Sequence, residues 1–126
     1  MSNGTFGLRL LMIDDDQAFC RFVKRVAELH GFEVMATDDP ENFKRTAQSW
    51  NPTLIVMDLQ MPGKDGIELL RDLALNKCAA PIVLASGHEL EHLKSLFENE
   101  SFIGFVSKPY SAEGLLAALR NAGLSW

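Results

Sequence analysis

The chain has 126 residues, of which 47% are hydrophobic and 23% charged, and its formal net charge is −5. That is the length and composition of one ordinary globular domain, which excludes disordered, collagen-like, coiled-coil and disulfide-scaffold classes. A domain that binds nucleic acid by itself is normally basic, so this acidic balance argues against direct nucleic-acid binding. No run approaches the ~18 apolar residues of a membrane span. Residues 1–7 are small and polar, unlike a signal peptide, and are expected to form a flexible tail ahead of one domain over 8–126. Cys20 and Cys78 lie far apart, without zinc or redox spacing, and are expected to be reduced thiols in a cytoplasmic protein.

In chain order, short apolar runs alternate with helical patterns. Leu8 to Ile13 reads as a first strand. Phe19, Phe22, Val23, Val26 and Ala27 then fall at i, i+3, i+4, i+7 and i+8, one face of a helix that Gly31 stops. Glu33 to Thr37 is a second strand. Asp39-Pro40 reads as an N-cap followed by proline at the first helical position, Phe43, Ala47 and Trp50 continue that helix, and Asn51-Pro52 ends it. Leu54 to Met57 is a third strand, followed by Ile67, Leu70 and Leu73 on a third helix. Ile82 to Ala85 is a fourth strand, followed by Leu90, Leu93 and Phe97. Phe102 to Val106 is a fifth, followed by a helix that Ser111 caps and that turns Leu115, Leu116 and Leu119 inward. The runs around Leu8, Leu54 and Ile82 are apolar nearly throughout, as strands buried on both faces should be. Five strand-helix units predict an α/β domain with a parallel sheet and helices on both faces. In such sheets the site lies beyond the carboxyl ends of the strands.

The residues at those ends are polar. Asp14-Asp15-Asp16 follows the first strand, Asp58 the third, Ser86-Gly87 the fourth and Lys108-Pro109 the fifth. Clustered carboxylates repel unless a cation is present, and an all-oxygen ligand set favours a hard metal, Mg²⁺ first. Lys108 adds positive charge and Ser86 a hydroxyl. Phosphoryl transfer requires mainly positioning and charge neutralisation, and a carboxylate can be its nucleophile.

These motifs are Leu-Met-Ile-Asp14-Asp15-Asp16, Val-Met-Asp58-Leu-Gln60-Met61-Pro62-Gly63 with Asp65-Gly66, Leu-Ala85-Ser86-Gly87 and Phe105-Val-Ser-Lys108-Pro109. In this order the sequence resembles the receiver domains of two-component signalling, the response-regulator family, and is similar to the single-domain chemotaxis-type regulators. The resemblance runs from about Arg9 to Leu124. It implies a flavodoxin-like, doubly wound fold with strand order 2-1-3-4-5; a chemotaxis receiver is among the examples by which that order is generally illustrated. It further implies that Asp58 is the phosphoacceptor. Asp14, Asp15, Asp58 and the main-chain carbonyl of Gln60 would hold Mg²⁺. Ser86 and Lys108 would bind the phosphoryl group, and Phe105 would be the aromatic switch residue that turns inward as Ser86 moves. Gln60 and His88 occupy positions at which the family tunes phosphoryl lifetime. The implied partners are a sensor histidine kinase or histidine phosphotransfer domain upstream, and a downstream effector protein or fused output domain. The domain would be a phosphoacceptor rather than an enzyme, catalysing only its own phosphotransfer and dephosphorylation.

Other readings are weaker. His88-Glu89-Leu90-Glu91-His92 matches the His-Glu-x-x-His metalloprotease pattern, but no third ligand is evident and the chain is short for a protease cleft. Asp14-x-Asp16 resembles the haloacid dehalogenase-type phosphatases, which need a further acidic pair after Lys108 where only Glu113 follows. The alternative of a receiver-like interaction module not controlled by phosphorylation remains, although such modules usually lose the acidic pair, the acceptor or the lysine. Asp16 by itself is best read as the cap of the first helix.

Overall fold

The computed structural model describes residues 7–58, 66, 68, 69, 72, 80–86, 103–107 and 112–121, with the backbone alone for residues 86, 103–107, 112 and 118–121. The sequence pattern is realised as β1 (Arg9–Ile13), α1 (Gln17–Leu29), β2 (Glu33–Thr37), α2 (Pro40–Ser49), β3 (Leu54–Asp58), β4 (Ile82–Ser86), β5 (Ile103–Ser107) and α3 (Ala112–Asn121). Gly66, Glu68, Leu69 and Asp72 also have helical backbone. The five strands form one sheet of order β2-β1-β3-β4-β5, every pairing parallel. This is the doubly wound order expected.

Period-two alternation divides the sheet's side chains between two cores. Leu10, Met12, Leu54, Val56, Val83 and Ala85 share one cluster with Phe19, Val23, Val26 and Ala27 of α1 and Leu115 of α3. Leu11, Ile13, Ile55, Met57, Ile82 and Leu84 share the other with Phe43 of α2 and Leu69. Strands sandwiched in this way bury both faces, so β1, β3 and β4 carry the near-continuous apolar runs. β2 has a neighbour on one side only, and its Met35 is 43% exposed.

The helix ends obey local rules. Asp16 has extended backbone and its carboxylate accepts from the Phe19 N–H, while Asp39 does the same for Glu41 ahead of Pro40. Gly31 stops α1 at φ +90°, a conformation that costs a residue without Cβ little. Asn51 takes φ +54° in the turn between α2 and β3, a region asparagine tolerates better than most residues. At this pole Arg9 donates to the Trp50 carbonyl at 2.6 Å, with its guanidinium 5.7 Å from the Trp50 ring centre. Lys44 ties α2 to the helical residues after β3: its ammonium is 3.1 Å from Asp72 and 3.7 Å from Glu41. Those partners, the Asp72 hydrogen bond first, hold Lys44 above its ordinary 10.5.

Strand ends differ from expectation by one residue. Asp58 and Ser86 close β3 and β4 from within, because the ladder extends to the pairs Asp58–Ala85 and Ser86–Ser107. The fifth strand runs over 103–107 rather than 102–106, and Leu8 precedes the first. The expected N-terminal tail, apart from Gly7, and the expected helix after the fourth strand lie outside the described residues.

Candidate functional site

Parallel register builds the site. Ile13 of β1 pairs with Met57 of β3. One step further along both strands stand Asp14 and Asp58, at the carboxyl edge, between the two strands from which the chain winds in opposite directions. A ligand crevice is expected at such a switch point. Asp58 pairs with Ala85, and Ser86 stands one step beyond it on β4. Ser107 pairs with Ser86, which places the end of β5 along the same edge.

Asp14 is 2% exposed and Asp58 6%, whereas Asp15 lies open to solvent. One carboxylate oxygen from each of the three lies within 4.8 Å of those of the others. Among the described residues, Asp14 and Asp58 are the buried acids, and they have been placed together. Burial penalises ionised carboxylates and mutual repulsion adds to that cost, so a cation placed among them would be held favourably. The donor set fits one. An octahedral Mg²⁺ with oxygen ligands at ~2.0–2.1 Å spaces neighbouring ligands by ~3 Å and opposite ones by ~4.2 Å, inside the observed limit. Asp15 gives the cluster one solvent-exposed member.

The loop after β1 holds Asp14 by its own polar atoms. Its N–H extends the ladder to the Thr37 carbonyl at 3.1 Å. Its Oδ1 accepts the Asp16 N–H at 2.9 Å, an Asx turn. Its carbonyl oxygen accepts the Cys20 thiol at 3.6 Å. Asp16 is thereby committed to turn and cap, as expected, and it stands outside the acidic cluster. A cleft of about 390 Å³ opens between α1 and the end of β2, lined by Asp14, Gln17, Cys20, Lys24, Thr37 and Asp38 among others. Sequence reading missed this cleft. The one-turn spacing of Gln17, Arg21 and Lys24 on the polar face of α1 is a signal that could have marked its wall, but not its depth.

Of the expected site residues, the structure brings Asp14, Asp15 and Asp58 together. Ser86 and Phe105 are described in backbone only, at the end and in the middle of their strands. Gln60, His88 and Lys108 lie outside the described residues, as does the rest of the His-Glu-x-x-His stretch.

Fold and site together define a doubly wound α/β domain with, at its switch point, a cluster of three carboxylates whose spacing could hold a metal ion. The chain belongs to the family described as the response regulator receiver domain, which matches residues 10–120. It is 33% identical over 114 residues to the regulatory protein VirG of Agrobacterium fabrum, covering 90% of this chain and 45% of VirG. It is 34% identical over 116 residues to the C4-dicarboxylate transport transcriptional regulatory protein DctD of Pseudomonas aeruginosa, covering 90% of this chain and 25% of DctD. The chain thus spans less than half the length of these relatives. Among solved structures, Vibrio cholerae chemotaxis protein CheY4 aligns with a TM-score of 0.81 at 22% identity, over 91% of this chain and 98% of that one. At that identity the likeness is one of fold. A receiver domain from Bermanella marisrubri aligns with a TM-score of 0.78 at 26% identity, over 90% of this chain and 96% of that one. The chain is therefore a receiver domain of two-component signalling, a phosphoacceptor class. No helix among the described residues is long and apolar enough to cross a membrane.

Proposed function

We propose that Asp58 accepts a phosphoryl group from the phosphohistidine of a sensor histidine kinase or histidine phosphotransfer domain, with Asp14, Asp15, Asp58 and the Gln60 carbonyl holding Mg²⁺. The observation that carries this reading is the pair of buried carboxylates, Asp14 and Asp58, within 4.8 Å of each other and of Asp15.

In the reaction, an Asp58 carboxylate oxygen attacks phosphorus in line. The P–N bond to the imidazole breaks and its electron pair returns to the ring nitrogen. When bound, Mg²⁺ offsets negative charge on the phosphoryl oxygens. Asp14 and Asp15 orient the carboxylate edge, Lys108 pairs with the phosphoryl group and Ser86 donates a hydroxyl hydrogen bond to it. The added group carries about −1.5 to −2 charge. Ser86 moves toward it, Phe105 turns into the vacated space, and the surface read by a downstream effector or fused output domain shifts population between two states. Dephosphorylation is the domain's own, by attack of a water that Gln60 and His88 flank. The setting is the cytoplasm, where Cys20, which is in no disulfide, stays reduced.

Incubation with acetyl phosphate and Mg²⁺ tests the assignment by intact mass. One phosphoryl group is expected on the unsubstituted protein and none on Asp58→Ala or in excess EDTA. Equal phosphorylation of Asp58→Ala would remove Asp58 from the role.

A further inference from the structure

We infer that Cys20 is a positioning residue for the cation site, acting through the peptide that joins Asp14 to Asp15. The inference rests on the reading of that site as a cation pocket.

Cys20 lies in the first turns of α1. A helical side-chain donor ordinarily bonds back to the carbonyl four residues earlier. For Cys20 that is the Asp16 carbonyl, which already accepts the Cys20 main-chain N–H at 3.0 Å. The thiol reaches past it, out of the helix, to the Asp14 carbonyl at 3.6 Å. That oxygen belongs to the planar unit whose nitrogen is that of Asp15. A planar peptide leaves only the flanking torsions free. Holding its oxygen therefore restrains the turn of Asp14 and Asp15 relative to each other, and both carry ligand atoms of the cluster. The Asp14 N–H is held by Thr37 and its Oδ1 by the Asp16 N–H. The thiol adds a restraint from α1 at the point between the two acids. Cys20 is only partly buried and is among the residues lining the cleft between α1 and β2, about 390 Å³ in volume, which gives a small thiol reagent a route to it.

The test uses the full chain with Cys78→Ser, which leaves Cys20 as the single thiol. Mg²⁺ affinity is measured by calorimetry, stability by urea unfolding, and the Asp15 amide resonance by NMR without metal. Removing this weak donor in Cys20→Ala should raise the Mg²⁺ Kd about two- to fivefold. Cys20→Ser, which keeps a donor, should recover most of that loss. Methyl methanethiosulfonate, whose sulfinate leaves as the thiol becomes a methyl disulfide, should act like alanine, and dithiothreitol should reverse it. The Asp15 amide should shift in the alanine and capped proteins and return in the serine and reduced ones. Unchanged Kd and amide shift in alanine and capped forms would overturn the inference, as would serine behaving like alanine. Failure of the unsubstituted protein to bind Mg²⁺ would instead sink the cation reading, and the Asp15 resonance would still decide the thiol contact.

Discussion

Asp14→Asn keeps shape and the oxygen that accepts from Asp16, and removes one negative charge from the cluster. At 4.8 Å, the outer limit of the separations, two unit charges repel by ~0.9 kcal/mol at the dielectric of water and ~3.5 kcal/mol at an effective dielectric of ~20. Asp58 is nearly as buried as Asp14, so that pair lies toward the upper figure; Asp15 is exposed and adds little. The metal-free variant should therefore be more stable than the unsubstituted protein by about 1–3 kcal/mol. Mg²⁺ should reverse the ranking. At a hundredfold excess over its Kd a ligand of the native state contributes ~2.7 kcal/mol to the unsubstituted protein, and it should contribute far less to a site short of one carboxylate. Urea unfolding at neutral pH, once in EDTA and once in Mg²⁺, measures both quantities. If Asp14→Asn unfolds at lower urea than the unsubstituted protein in EDTA, the carboxylates do not repel and the argument for a cation pocket loses its physical basis.

Phe43→Ala empties the largest fully buried side chain on the α2 side of the sheet and should cost about 3–5 kcal/mol in urea unfolding, without changing which residue is phosphorylated. Gln60→Ala and His88→Ala should each change the rate of phosphoryl loss severalfold while leaving phosphorylation intact; timed mass spectra decide, and rates equal to the unsubstituted protein would place lifetime control elsewhere. Lys44 gains Asp72 and Glu41 as partners on folding and its pKa rises above 10.5. Its contribution is thus fully present below 10.5 and is lost as pH climbs through the raised value. The stability gap between the unsubstituted protein and Lys44→Met should shrink over that alkaline range, and should also shrink as salt is added at neutral pH.

The sequence by itself determined the five strands to within a residue, the two helices that Asp16 and Asp39 cap, and the acids that gather at the sheet edge. Five apolar runs at helix-length intervals leave few topologies other than a right-handed parallel sheet. Asp16 and Asp39 declare helix starts through chemistry that is local to three residues. What distance along the chain could not supply was decided by tertiary structure. Asp14 and Asp58 are 44 positions apart, and only the register of β1 on β3 puts them level at the sheet edge. The exposure of β2 follows from its place at the end of the sheet rather than from its residues, since its Val34 and Met35 would suit a central strand. The same holds for Cys20. Its pattern reads as a small residue beside the apolar stripe of α1, and its contact with the Asp14 carbonyl exists because the chain turns sharply at Asp14–Asp16 and folds the helix back over it. Local propensity acts over a few residues and is legible in a string. Register and chain return act between residues far apart in it, and only the packed sheet sets them.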